Sequence, residues 1–261
     1  MPTLAHINLF PVKSLDPQPV NQAVLLPSGT LQHDRRFALR DLEGRYLNGK
    51  RTAEVHRLRS DFDPATNRLL LRVEGSTETL AFDVDQERRK LTDWLAGFFA
   101  MPLEFVENTS AGFPDDTDSP GPTVIATATL AEVASWFPGL SLEEARLRFR
   151  ANLEIDGVEP FWEDRLVAER GQAVRFRIGE VELLGMNSCQ RCPVPSRNPF
   201  SGEPIAGFAK LFALRREEHL PAWAARARFD HFYRLAVNTR PASTSGGAIR
   251  VGDSVSLLGL A

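Results

Sequence analysis

MNSCQRCPVPSRNPFSGEP, Met186 to Pro204, holds both cysteines of the chain, Cys189 and Cys192. It follows a strand pattern, Val181-Glu182-Leu183-Leu184, and then breaks into prolines, Ser-Arg-Asn and a closing Ser-Gly. Pro193, Pro195 and Pro199 deny this segment a regular helix or a central strand, and Pro193 biases Cys192 toward extended backbone. A rigid, irregular loop thus displays a thiol next to Arg191, and a guanidinium neighbour suits a thiolate, the form that acts as nucleophile or metal ligand. Cys192 reads as the ligand of a metal carried by a larger cofactor, with much of the remaining chain binding that cofactor.

Taken alone, Cys189-x-x-Cys192 leaves several readings open: a dithiol redox pair, half of a zinc site, or one functional cysteine beside a structural one. Zinc normally takes four ligands, and His6, His33, His56, His219 and His231 show no paired ligand spacing. Thioredoxin-like chemistry needs the pair to open a helix, which the following Pro-Val-Pro-Ser opposes. A buried, inert pair is the plain alternative.

Moving outward, 261 residues allow one large domain or two small ones, and 43% hydrophobic with 25% charged residues suffices for a real core. A net charge of −3 and a pI near 6.0 argue against general nucleic-acid binding while leaving room for a local basic pocket. No apolar run approaches the roughly 18 residues that cross a bilayer. The N-terminus, MPTLAHINLF, reads as a strand and not as a signal or transit peptide. These features imply a cytoplasmic protein with neither nucleic-acid nor membrane partners.

Short β segments separated by turns fill the first third: Leu4–Phe10, Val20–Leu26, Arg36–Arg40, Val55–Phe62, Arg68–Val73 and Thr79–Phe82. In Gln86–Met101, apolar Leu91, Trp94, Leu95, Phe98 and Phe99 recur at helical spacing. Asn108–Pro122 reads as a linker or long loop. Thr129 with Glu132, and Ser141 with Glu144, resemble capping boxes. Leu147–Ile155 alternates like a strand, with Arg148, Arg150 and Asn152 on one face. Val174–Ile178 and Val181–Leu184 look like a hairpin, Ile205–Ala225 a helix interrupted near Pro221, and Tyr233–Asn238 and Val251–Leu258 closing strands. The expectation is a mainly β, α+β protein divided into domains 1–118 and 119–261.

Lys13-Ser14, Asp34-Arg35-Arg36 and the Arg148/Arg150/Asn152 face are solvated surface by default, yet together with Arg191 they could build a pocket for a phosphorylated anion. Glu163-Asp164 read as surface carboxylates. Gly44–Lys50 matches part of a P-loop by accident, since Arg51 stands where Ser or Thr must bind magnesium.

INLFPVKS (Ile7–Ser14), DRRF (Asp34–Phe37), FRANLEI (Phe149–Ile155), IGEVELL (Ile178–Leu184), CQRC (Cys189–Cys192), NPFSG (Asn198–Gly202) and VGD (Val251–Asp253) occur in an order that resembles MOSC-domain proteins carrying an N-terminal MOSC β-barrel domain. Among these, the mitochondrial amidoxime reducing component and its bacterial relatives are most similar. The resemblance implies a molybdenum-pterin cofactor, Cys192 as catalytic residue and molybdenum ligand, and contacts to the pterin and its phosphate from Lys13, Ser14, Arg35, Arg150, Asn152, Gln190, Arg191 and Tyr233. It implies a lesser place for Thr127 and Thr129, and, only at the level of the wider family, an association with pyridoxal phosphate binding. The implied activity is reduction of small N-hydroxylated substrates with electrons from a separate iron–sulfur or cytochrome-type protein. A persulfide carrier or a cofactor carrier without turnover is the alternative. The Pro193–Pro199 loop departs from the Thr-Thr-Val-Asp-Pro type of better-studied members, on the substrate side.

Overall fold

The computed structural model describes all 261 residues. In chain order the elements are β1 (Thr3–Leu9), β2 (Gln18–Val20), β3 (Gln22–Leu25), β4 (Phe37–Arg40), β5 (Leu58–Asp63), β6 (Arg68–Val73), β7 (Leu80–Asp83), α1 (Arg88–Phe98) and β8 (Glu104–Glu107). There follow β9 (Val124–Ala126), α2 (Thr127–Ser135), α3 (Leu142–Phe149), β10 (Leu153–Asp156), β11 (Val174–Ile178), β12 (Val181–Gln190), α4 (Phe208–Glu218), β13 (Arg234–Pro241), β14 (Gly247–Arg250) and β15 (Val255–Leu260). Strands dominate and helices are few, so the α+β expectation holds.

An eight-stranded sheet runs in the order β15-β11-β12-β13-β9-β10-β1-β2. It curls until β15 reaches β1: Thr3 bridges Ser254, Leu4 N–H donates to Asp253 O at 2.9 Å, and Val255 N–H donates to Pro2 O at 2.9 Å. Inside lie Leu4, Ile7, Val124, Leu153, Ile155, Phe176, Ile178, Leu183 and Val237. The β11–β12 hairpin shows why: Val174, Phe176 and Ile178 point inward and alternate with Arg175 and Arg177, the period-two pattern of a half-buried strand. Residues 12–105 wrap a second core, in which Phe37, Phe62, Leu69, Leu71, Leu91 and Leu95 join the β5-β6-β7 meander, the β4–β8 pair and α1. A third, aromatic core gathers Phe137, Phe149, Phe208 and Phe212 between α2, α3 and α4.

Several elements differ from the sequence reading. Leu147–Ile155 is not one strand. Ser141 Oγ caps α3 through Glu144 N–H, Glu144 pairs with Arg148 across one turn, and the helix runs to Phe149. Arg150 then turns the chain at φ 53° into β10. The alternation was ambiguous because Ala145 and Phe149, four apart, also satisfy a helix face buried in the third core. Val55–Phe62 begins as a 3-10 turn, Ala53–Arg57, capped by Thr52. Thr129 does not cap α2, whose first residue is Thr127. α4 is shorter than expected, starting after Gly207 at φ 71°.

The largest correction concerns Glu163 and Asp164, which are 1% and 2% exposed. Asp164 pairs with the equally buried Arg216, whose guanidinium lies over Phe161 and Phe229. Glu163 accepts from Thr129 Oγ1 at 2.8 Å and from Ala126 N–H at 3.3 Å, tying the start of α2 to the turn between β10 and β11. Burial, and then the charge of Asp164, push the Glu163 carboxyl up to about 8.

The sign follows from linkage. Folded Glu163 keeps its proton where the unfolded side chain loses it, so stability falls as pH rises from about 4.5 through about 8 and levels off beyond. Glu163→Gln keeps the acceptor but cannot ionise. Thermal unfolding between pH 5 and 9 should show the decline flattened by about 2 kcal/mol or more in this variant; an unchanged slope would show that Glu163 is ionised in the folded protein.

Candidate functional site

A cavity of about 570 Å³ opens between the eight-stranded sheet and the N-terminal elements. Its walls come from separated stretches: the turn after β1, the Asp34-Arg35 turn before β4, residues 48–59, the 114–123 loop, the end of α3, and β12 with its following loop. Nine lysine and arginine side chains line it against four aspartates. A chain of net charge −3 therefore concentrates positive charge in this recess.

Cys192 stands on the lining, half-buried and without a disulfide. Its loop is held from below by Arg148, whose Nη1 donates to the carbonyls of Pro195 (3.0 Å) and Arg197 while Nη2 pairs with Glu144. Arg148 is thus a strut for the proline-rich loop and not a free cation. Behind the cysteine, the Tyr233 hydroxyl donates to Cys192 O at 3.2 Å, and burial pushes that phenol up to about 12. Tyr233 itself does not line the cavity, and neither do Thr127 and Thr129. Cys189 also lines it, but burial raises its thiol to about 11 and its Sγ donates to Asn238 Oδ1 at 2.8 Å.

Lys13, Ser14, Arg35, Arg150, Asn152, Gln190 and Arg191 all border the same space. Three of them adopt left-handed backbone: Ser14 at φ 74°, Arg35 at φ 48° and Arg150 at φ 53°. Non-glycine residues accept that conformation at a cost, and such strain clusters at functional sites. The Asn152 amide is fully engaged: Nδ2 donates to Asn8 O (3.0 Å) and Asp34 Oδ1 (3.1 Å), while Oδ1 accepts from Thr123 N–H, Thr123 Oγ1 and Arg35 Nη1. It sets the position of Arg35, which also pairs with Asp34.

The electrostatics leave a demand for negative charge. Lys13, Arg35, Arg59, Arg148 and Arg234 each have a carboxylate partner, whereas Lys50, Arg150, Arg191 and Arg197 have none. Arg150 lies on the Phe10 ring, centroid 4.3 Å away, and donates to Leu15 O at 2.6 Å. Burial, and then Arg35, lower it to about 10, so it stays charged at neutral pH while lacking an anion. Burial and four arginines hold His56 down at about 4. Arg191 Nε, Arg197 Nε and His56 Nε2 are buried without a hydrogen-bond partner. The unmatched charges of Arg150, Arg191 and Arg197 make the cavity suited to an anion. No group of three or more His, Cys, Asp or Glu side chains is placed to hold a metal unaided.

The sequence reading missed Lys50, His56, Arg59 and Arg197 as wall residues. In the sequence His56 lacks the paired spacing of a metal ligand, and residues 44–50 read as a turn between short strands and an accidental phosphate-loop match. No local pattern marks them, because the elements that bring them together are distant in the chain.

The family model described as the MOSC N-terminal beta barrel domain matches residues 1–102, and the one described as the MOSC domain matches residues 123–256. No curated protein matches the chain. Among solved structures it is similar to the YUAD protein from Bacillus subtilis, at 11% identity and a TM-score of 0.38, over 98% of this chain and 94% of that one. A second likeness, to a hypothetical protein, has 11% identity and a TM-score of 0.42, over 99% of this chain and 68% of that one. Neither bears on function at such scores.

The contrast between the two cysteines is directly measurable. Iodoacetamide at neutral pH should label Cys192 in the native protein and leave Cys189 untouched until the chain is unfolded. Equal labelling of both in the native state would contradict the geometry.

Proposed function

The chain belongs to the MOSC-domain family, and from that premise we propose that it is a molybdenum-pterin oxidoreductase that reduces N-hydroxylated compounds. MOSC domains are associated with molybdenum-cofactor-binding proteins. The observation that carries the reading is the pairing of one accessible thiol with unmatched cations in a single recess. Molybdenum dithiolene centres accept a soft thiolate, and a phosphate suits arginine, lysine and hydroxyl donors. The residues therefore fit such a group.

In this reading Cys192 supplies the protein's sulfur ligand, displayed by a loop that Arg148 and Tyr233 hold in place. Lys13, Ser14, Arg35, Arg150 and Arg191 bind the anionic end, and Gln190 lies at the end of β12 beside them. Asn152 acts through Arg35. Lys13 keeps its position by donating to Phe113 O at 2.9 Å and pairing with Asp115. When bound, the cofactor would supply two-electron redox chemistry that no side chain here possesses. The net reaction breaks the N–O bond, forms N–H and releases water, consuming two electrons and two protons. A separate iron–sulfur or cytochrome-type protein delivers the electrons.

Protein produced in cells that make the cofactor should carry near-stoichiometric molybdenum and release a fluorescent pterin on oxidation. Cys192→Ser should lose at least about 100-fold of its activity toward a test amidoxime, whereas Cys189→Ser should retain most of it. Full activity in Cys192→Ser would sink the mechanism. A persulfide on Cys192, with neither molybdenum nor pterin, would instead favour sulfur transfer.

A further inference from the structure

The groups assigned to the cofactor leave part of the cavity unexplained. Arg150 and Arg191 belong to that set, but Arg197 and Lys50 are equally unpaired and lie outside it. His56 adds a buried ring nitrogen, and Arg197 a buried Nε, neither with a partner.

Lys13 and His56 feel different sets of charges in the recess. The charges acting on Lys13 are Asp115, Arg35 and Lys50. Those acting on His56 are Arg150 and Arg197, then Arg59 and Arg148. Arg150 joins the two, since it acts on His56 and is itself acted on by Arg35. Around His56, Arg59 has Asp16 and Glu74 at 3.4 Å each, and Arg148 has Glu144. Arg150 and Arg197 there carry charge with no carboxylate paired to them, and Arg197 lies outside the set assigned to the cofactor.

Both groups are pre-positioned. His56 belongs to the Thr52-capped 3-10 turn, and its ring packs against Gly49, where an added Cβ would lie 2.8 Å from Nε2. Arg197 ends the loop that begins at Cys192. Its Nη1 donates to Gly202 O at 3.0 Å, and its own carbonyl is held by Arg148. Nε2 of His56 and Nε of Arg197 are closed off, but His56 Nδ1 and Arg197 Nη2 have no partner in the chain, and an oxyanion between them would accept from both.

We propose that His56 and Arg197 form a second oxyanion subsite in the cavity, and that it binds a carboxylate or phosphate borne by the N-hydroxylated substrate. The identity of the reacting group rests on the function proposed above; the subsite does not. Positive charge beyond what one cofactor phosphate needs favours an acidic substrate over a neutral one. A nucleotide-type extension of the cofactor would present the same chemistry.

The test has two arms. In the first, cofactor-free protein is titrated with inorganic phosphate while the His56 Cε1–H resonance is followed by NMR. Phosphate should shift that resonance saturably and raise the His56 titration midpoint, because the anion offsets Arg150, Arg197, Arg59 and Arg148; Arg197→Ala should weaken the effect about tenfold, with Arg197→Lys restoring part. A resonance indifferent to phosphate overturns the subsite. In the second arm, molybdenum-loaded protein is compared on benzohydroxamate and 4-carboxybenzohydroxamate. The carboxylated compound should have a kcat/KM about tenfold higher, mostly through KM, and Arg197→Ala and His56→Ala should each erase that preference. No preference, together with loss of the phosphate response on cofactor loading, would assign the subsite to the cofactor and overturn the substrate proposal. Reduction of neither compound contradicts the reductase reading, and the first arm still decides the subsite.

Discussion

The side-chain amide of Asn152 is the tie on which the site depends. It is 1% exposed, and both of its hydrogens and its oxygen are used: one end reaches back to Asn8 and Asp34, the other to Thr123 and Arg35. Backbone bonds reinforce the join, with Asn8 N–H donating to Asn152 O at 2.7 Å and Phe10 N–H to Asp34 Oδ1 at 2.8 Å. The first strand and the Asp34-Arg35 turn are thereby locked onto the strand that follows α3. Removing the amide would leave several buried groups unpaired at once, each costing about 1–3 kcal/mol. That join, with the β1–β10 pairing and the Arg150–Leu15 bond, holds Lys13 and Arg35 in a fixed relation to Arg150 and Cys192.

Around this tie the protein spends stability on charge. Burying arginines close to one another is unfavourable, as the lowered Arg150 and the suppressed His56 both show. Left-handed backbone at Ser14, Arg35 and Arg150 adds a further cost in the same recess. Elsewhere the chain matches buried charge carefully: Arg216 has Asp164, and Arg146 has Glu154 at 2.7 Å. In the cavity cations outnumber carboxylates, and an anion would offset them.

Features decided by neighbours in sequence were readable without coordinates. The β11–β12 hairpin followed from two-residue alternation, the start of α3 from Ser141 with Glu144, and the irregular Cys192 loop from its prolines. Features decided by distant partners were not. Glu163 and Asp164 look like surface in the sequence; their burial rests on Arg216, 52 residues from Asp164, and on the proton that Glu163 retains. Arg148 looked like a pocket cation because the strand-like alternation of residues 147–155 hid the helix that turns its guanidinium toward the loop carbonyls of Pro195 and Arg197. His56 and Arg197 carry no local mark at all, since only the packing of residues 48–59 against the Cys192 loop makes them face one space.

The central claim is that cations from both ends of the polypeptide grip one metal-bearing anion whose metal meets Cys192. A crystal structure of protein purified from cofactor-producing cells, with anomalous data at the molybdenum edge, tests it most directly. The account predicts a single anomalous peak within bonding distance of Cys192 Sγ and phosphate density among Lys13, Arg35 and Arg150. A fully loaded protein whose metal lies away from Cys192, or whose phosphate lies outside this recess, would contradict it.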